Sequence, residues 1–167
     1  SAIRPKGTVS LVRPKKEFVT PRALERNEIP GIIAAYKRGA ENAKRAGFDG
    51  VEVHGANGYL LDQFLQDTTN TRADDYGGSL ANRARLMIEV VDACIEVWGR
   101  GRVGLHLAPR GDSYDMGDSN PIATFGYVAE QMKARGLAFL CARESLGDNR
   151  IGPQLKKIFG GIYIANE

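Results

Sequence analysis

The sequence predicts an α/β fold in which amphipathic helices alternate with short parallel strands. Segments with apolar residues every three or four positions are each followed by a short apolar run, and this order repeats four times in 167 residues. Most of these segments end at glycine, as helices and strands commonly do. Strands that alternate with helices pair in parallel through right-handed crossovers. With 43% hydrophobic and 26% charged residues, the chain has enough apolar sequence for a buried core.

The first third of the chain is predicted to contain an irregular cap, a helix and a strand. Residues 1–20 are polar and interrupted by proline and glycine, which favours an irregular or hairpin-like cap. Thr20-Pro21 is typical of a helix start. A longer helix is predicted from about Asn27 to Ala46, and a short buried strand is predicted at 51–54.

A polar stretch at 61–78 separates this strand from the next helix. Most connections in compact domains are about 4–6 residues long, so this one is predicted to be functional or packed on itself. Ser79 is the predicted N-cap of a helix that ends at Gly99. The remaining predicted elements are a strand at 102–109, a helix at 120–135, a strand at 137–142, a short helix at 153–159 and a strand at 161–166.

Two parallel architectures fit this order, an open doubly wound sheet and part of a (β/α)8 (TIM) barrel. No glycine-rich GxGxxG loop follows a strand, which disfavours the nucleotide-binding sheet. Barrel enzymes place their chemistry at the carboxyl ends of the strands. Polar residues stand at these ends in this chain, namely His54, His106, Arg143, Glu144, Asn166 and Glu167.

Four strands cannot close an eight-stranded barrel, which typically needs about 250 residues. We therefore expect one incomplete TIM-barrel domain over 1–167, with the irregular cap at 1–20 and a half barrel of about four strands at 21–167. The chain is expected to be a fragment or one partner of an assembly.

The charge and composition of the chain limit the classes of molecule that it is expected to bind. A net charge of +3 is too small an excess to indicate nucleic acid, and no apolar run approaches the roughly 18 residues of a membrane helix. Two cysteines do not form a disulfide framework, so a cytoplasmic location is expected. The remaining partner class is a small molecule.

The densest group of chemically active residues is His54, Asn57 and Tyr59, separated by small residues that allow a sharp turn. Histidine and asparagine can donate hydrogen bonds to a carbonyl or nitro oxygen as charge develops on it. A phenol is ordinarily protonated at neutral pH and can act as a general acid. From spacing alone, a core histidine and a packed loop tyrosine are equally good interpretations.

Two segments resemble one family of enzymes. VEVHGANGYLLDQFL at 51–65 and NTRADDYGGSLANRAR at 70–85 are similar to the signature of the old yellow enzyme family, whose members include FMN-dependent ene reductases and N-ethylmaleimide reductases. The resemblance implies a TIM barrel that transfers hydride from NAD(P)H through FMN to activated C=C bonds (enones, maleimides) or to nitro compounds. It covers nearly the whole chain, mapped onto roughly the fourth to seventh barrel strands.

The resemblance also implies roles for individual residues. His54 and Asn57 match the pair that binds the substrate oxygen, and Tyr59 matches the proton donor. His106 stands where many members have an arginine facing the flavin, and Arg110, four residues on, is a second candidate for that edge. Backbone contacts to the cofactor phosphate are expected from Asn166.

Two alternatives remain open. No metal ligand is assigned, but a metal-dependent barrel hydrolase would use His54, His106 and either Cys141 or Glu144 as ligands. The chain would otherwise be an inactive half barrel that acts only in assembly, by self-association or with a complementary half.

Overall fold

The structure, a computed structural model, describes residues 2–9, 12–111 and 113–166. Four strands and five α-helices alternate along this part of the chain. The strands are β1 (Val51–Gly55), β2 (Val103–Leu107), β3 (Phe139–Arg143) and β4 (Ile162–Asn166). The α-helices are α1 (Ile29–Arg45), α2 (Leu60–Leu65), α3 (Leu80–Trp98), α4 (Pro121–Arg135) and α5 (Gly152–Phe159), with 3₁₀ turns at Arg26–Glu28 and Ser113–Asp115.

The four strands form one parallel sheet in the order β1-β2-β3-β4. Each strand pairs with the next one along the chain, as consecutive βα units of a TIM barrel do. The register places His54, His106, Cys141 and Ile164 in one row across the sheet. The predicted α/β partial barrel is confirmed.

The sheet has two different faces because side chains alternate along each strand. Val53, Leu105 and Leu140 are fully or almost fully buried against the helices. The opposite face, here called the inner face, carries the row of His54 and the row of Glu52. On β4 this face is open, with Ile162 68% and Ile164 44% exposed.

Helices α1 and α3 cover the outer face beside β1. Ser79 caps α3 by accepting a hydrogen bond from Asn82 N at 3.3 Å, as the sequence predicts. Trp98, at the end of α3, donates from Nε1 to the carbonyl of Ala40 at 3.2 Å. The apolar face of α3 is buried in the core, and its members include Met87, Val90, Val91, Cys94 and Trp98.

The amino-terminal segment is hairpin-like, because an antiparallel bridge joins Thr8 to Glu17. The helix predicted to start at Thr20-Pro21 is wrong, since residues 18–25 are not helical. The longer helix predicted from about Asn27 is present, since a 3₁₀ turn at Arg26–Glu28 leads into α1. Before it, the Glu28 side chain accepts from the Glu25 backbone N–H at 2.6 Å in a capping box.

The polar stretch after β1 contains a helix that the sequence did not predict. Leu61, Phe64 and Leu65 of α2 are buried, so a short apolar face lies hidden in a mostly polar segment. The rest of the stretch packs on itself, since Asn70 Nδ2 donates to the carbonyls of Phe64 at 2.5 Å and Tyr76 at 2.7 Å. None of the helices described here is long and apolar enough to cross a membrane.

Candidate active site

Polar side chains meet at the carboxyl edge of the inner face. His54 and His106 are register partners on β1 and β2, and their ring centroids lie 5.3 Å apart with the rings nearly perpendicular. Tyr59 also lies beside His54, with 5.6 Å between ring centroids. The structure thus brings together three of the predicted site residues, one from β1, one from β2 and one from the residue that precedes α2.

A tight turn carries Asn57 from β1 towards α2. Tyr59 N donates to the carbonyl of Ala56 at 3.2 Å, and the two central residues, Asn57 and Gly58, have φ values of 59° and 74°. Positive φ at both central positions is a feature of a type I′ turn, which asparagine and glycine adopt most readily. A Cβ on Gly58 would also lie 2.8 Å from the carbonyl oxygen of Ser113. The small residue in this motif is therefore required by both conformation and space.

Asp62 fixes this turn to α2. Its carboxylate accepts from Gly58 N at 2.9 Å and from Gln66 Nε2 at 2.7 Å. Asp62 is 1% exposed, and burial raises the pKa of its carboxyl to about 6 although both hydrogen bonds lower it. A buried carboxylate therefore sets where the Asn57–Tyr59 segment leaves the strand.

Arg143 contacts Asn57, and the sequence did not assign it to the site. Its Nη1 donates to Asn57 Oδ1 at 3.4 Å from the end of β3. Since the amide oxygen accepts this bond, the amide NH₂ remains for a ligand. Arg143 ends its strand as the predicted site residues do, and that position was the available signal.

Tyr114 is a second residue that the sequence did not reveal. Its ring centroid lies 5.9 Å from that of Tyr59 and 5.6 Å from that of Phe18. A side-chain hydrogen bond with Tyr59 raises the pKa of Tyr114. Tyr114 stands in the irregular loop after β2 with φ of 60°, and no sequence pattern marks that position.

His106 is buried without full hydrogen bonding. Within the described part of the chain, its Nε2 is buried and has no hydrogen-bond partner. Its Nδ1 lies 3.6 Å from Glu52 Oε1, beyond hydrogen-bonding distance. Burial lowers the pKa of His106, and the charge of Glu52 opposes that effect. The imidazole is therefore mainly neutral at pH 7 and presents an unused nitrogen to the inner face.

The other two predicted cofactor residues lie at the same edge. Arg110 Nη1 donates to Glu144 Oε1 at 3.3 Å. Glu144 accepts from the backbone N–H groups of Ile151 at 2.8 Å and Gly152 at 2.9 Å, so its carboxylate holds the start of α5. Asn166 is the register partner of Arg143. Glu167, also singled out from the sequence, lies outside the described residues.

This arrangement is that of a TIM-barrel enzyme. Parallel strands of a partial TIM barrel carry hydrogen-bond donors and a phenol at their carboxyl ends, where barrel enzymes hold substrates and cofactors. Of the two residues considered as a third ligand in the metal-hydrolase alternative, Glu144 is engaged with α5, whereas Cys141 lies in the same row as His54 and His106.

Comparison with known proteins gives the family. Residues 4–147 match the model of the NADH:flavin oxidoreductase / NADH oxidase family, and the chain belongs to that family. A probable flavin mononucleotide-dependent alkene reductase from Leishmania infantum is 48% identical over 123 residues, which are 74% of this chain and 34% of that protein.

Solved structures agree with this assignment. An old yellow enzyme homologue from Zymomonas mobilis superposes with a TM-score of 0.95 at 35% identity, over 100% of this chain and 49% of that one. Morphinone reductase in complex with tetrahydroNAD superposes with a TM-score of 0.85 at 46% identity, over 90% of this chain and 42% of that one. The chain spans less than half the length of the curated relatives it matches, between 30% and 45%.

Proposed function

We propose that the protein containing this chain is an FMN-dependent reductase of activated C=C bonds that uses NAD(P)H as its reductant. The observation that supports it most is that His54 near the end of β1 and Asn57 and Tyr59 in the turn after it lie together at the carboxyl edge of the sheet. The alkene reductase from Leishmania and the nicotinamide complex of morphinone reductase point the same way. Enones, maleimides and nitro compounds are the proposed substrates.

His54 and Asn57 are proposed to bind the electron-withdrawing oxygen of the substrate. Both side chains are half-buried, so a hydrogen bond from either is stronger there than in water. The Arg143 bond to Asn57 Oδ1 orients the amide with its NH₂ group available. Two donors on one oxygen polarise the conjugated bond and stabilise the negative charge that grows as hydride arrives.

Tyr59 is proposed to deliver the proton to the α-carbon. Its side chain is 53% exposed on the open side of the turn, so the phenol is available to a molecule bound at the edge. The ring of His54 on one side and that of Tyr114 on the other restrict its position. Tyr114 lies beside this phenol, with 5.9 Å between ring centroids, and is proposed to orient it.

His106 is suited to contact a bound flavin. Its buried Nε2 has no partner among the described residues, so a cofactor placed on the inner face would supply one. When bound, FMN would take hydride from NAD(P)H and pass it to the β-carbon of the substrate. Arg110 and Asn166 stay predicted cofactor contacts, with Arg110 held in place by Glu144.

A complete site is proposed to need further strands beside these four. The open inner face of β4 would be covered in a closed barrel. Supply of those strands by self-association or by a complementary half remains a prediction. A cytoplasmic location also remains a prediction. It is consistent with the two cysteines, which are both free thiols.

The test uses the flavin-loaded protein that contains this chain. The flavin is reduced anaerobically with NADPH or NADH and then mixed with 2-cyclohexenone, and the return of its visible absorbance is followed. We expect rapid reoxidation by the enone. Reoxidation by oxygen but not by any enone, maleimide or nitro compound would contradict the proposal.

A phenol that mimics the enolate tests the oxygen-binding pair separately. Loss of a hydrogen bond to a charged group costs about 1.5–3 kcal/mol, so His54→Ala or Asn57→Ala should weaken phenol binding roughly 10- to 100-fold. Asn42→Ala, on the exposed face of α1, is the matched control and should bind normally. Unchanged affinity in both site variants would refute the assignment.

A further inference from the structure

Three side chains with metal-binding atoms converge on the inner face, one from each of three neighbouring strands. They are Glu52 of β1, His106 of β2 and Cys141 of β3. One ligand atom from each lies within 4.8 Å of the other two. The sequence pointed to a different set, with His54 and Glu144 among the metal candidates, because it did not show that Glu52 faces inward.

The pairing register of the strands, and not a flexible loop, brings these three side chains together. His106 and Cys141 are paired residues in the sheet, and Glu52 lies two positions before the partner of His106 on β1. Both His106 and Cys141 are buried, at 9% and 6% exposure. Rigid strands therefore hold two of the three atoms in place, and the longer glutamate side chain can adjust to them.

His106 gives independent support for a ligand at this place. It is 91% buried by residue area, its Nε2 has no partner in the described chain, and its Nδ1 is too far from Glu52 for a hydrogen bond. Unsatisfied buried polar groups are rare and call for an explanation such as a bound ion.

We propose that Glu52, His106 and Cys141 form a site for a thiophilic divalent cation of the Zn²⁺ type, with water as the fourth ligand. One sulfur, one nitrogen and one carboxylate oxygen are the donors that zinc uses, and three protein ligands with an open position are an established zinc arrangement. Bond lengths of about 2.0–2.3 Å require ligand atoms roughly 3.3–3.8 Å apart, so atoms that lie within 4.8 Å of one another need to close by at most about 1.5 Å.

Binding is balanced in charge. Cys141 loses its thiol proton to water as the metal–sulfur bond forms, and the thiolate and the Glu52 carboxylate together neutralise Zn²⁺. The site shares His106 with the proposed flavin contact, but its test needs no flavin.

Cobalt is the spectroscopic probe for the purified chain. Co²⁺ titrated into it should produce a thiolate-to-cobalt absorption band that saturates at one ion per chain and disappears when Zn²⁺, the stronger binder, is added. Cys141→Ser should abolish the band, and Glu52→Gln should weaken binding by more than the roughly 10- to 100-fold cost of losing an outer-sphere partner. Cys94→Ala, in the core of α3, is the matched control and should keep the band.

A second measurement does not rely on variants that fold. In the unaltered chain, Zn²⁺ should slow alkylation of Cys141, read by mass spectrometry, and should leave the slow alkylation of Cys94 unchanged. The absence of a saturable thiolate band, a band that survives Cys141→Ser, or equal protection of both cysteines would overturn the proposal.

Discussion

Replacing Asp62 by asparagine should remove a pH-dependent cost that the wild-type chain carries. Asp62 is buried beneath the turn that holds Asn57, and its pKa is raised from 3.8 to about 6. A raised carboxyl pKa means that the folded state binds the proton more tightly than the unfolded state. The stabilising effect of that proton is complete below pH 3.8 and is lost as the pH rises through 6.

The size of the effect follows from the two pKa values. At about 1.4 kcal/mol for each pH unit between 3.8 and about 6, the total is about 3 kcal/mol. Roughly 2 kcal/mol of this falls between pH 4 and pH 7. Asparagine at position 62 has no such titration, and it can still accept from Gly58 N while the Gln66 amide rotates to pair with it.

Urea unfolding of both proteins at pH 4, 5, 6 and 7 measures this difference. Trp98 is the only tryptophan and is 7% exposed, so its fluorescence reports the transition. The free energy of unfolding of Asp62→Asn should rise by about 2 kcal/mol relative to wild type between pH 4 and pH 7.

A control with the opposite sign accompanies this measurement. Burial raises the pKa of Asp67, but hydrogen bonds from Ser119 outweigh it and leave that pKa lowered. Asp67→Asn should therefore lose stability relative to wild type as the pH rises to about 5 and keep a constant difference above it, so this control is measured from about pH 3 upward. A stability difference for Asp62→Asn that does not change with pH would refute the buried, destabilised carboxylate.

Two further substitutions test the turn and the core. Gly58→Ala should lower the free energy of unfolding by about 1–3 kcal/mol, because residue 58 has a φ of 74° and the added Cβ would lie 2.8 Å from the carbonyl oxygen of Ser113. A loss below about 0.5 kcal/mol in urea unfolding would contradict this strain. Met87→Ala should cost about 2–5 kcal/mol by opening a cavity beneath β1, where Met87 is fully buried. A thermal transition unchanged from wild type would contradict that packing.

The order of helices and strands could be predicted from the sequence because each element depends on local signals. Ser79 and Gly99 bound α3 as expected, since capping depends on the residue itself and its nearest neighbours. The prediction of a helix start at Thr20-Pro21 was wrong because proline is compatible with a helix start but does not by itself produce one. The capping box of Glu25 and Glu28 decides where the helix begins.

The site could be predicted only in part. His54, Asn57 and Tyr59 follow one another in a single segment, so the sequence itself places them near each other. Contacts between segments depend on register and loop path, and these brought Arg143 to Asn57 and Tyr114 to Tyr59. Neither contact has a signal in local spacing.

The most direct test of the proposed site is the pair of half-reactions in the flavin-loaded protein that contains this chain. Tyr59→Phe removes the proposed proton donor and leaves the ring, so stopped-flow absorbance should show flavin reduction by NAD(P)H at the wild-type rate and reoxidation by 2-cyclohexenone slowed about 100-fold or more. Tyr127→Phe, on α4 away from the site, is the control and should match wild type in both steps. Equal slowing of both half-reactions, or enone reoxidation at the wild-type rate, would contradict a protonating Tyr59 at this edge of the barrel.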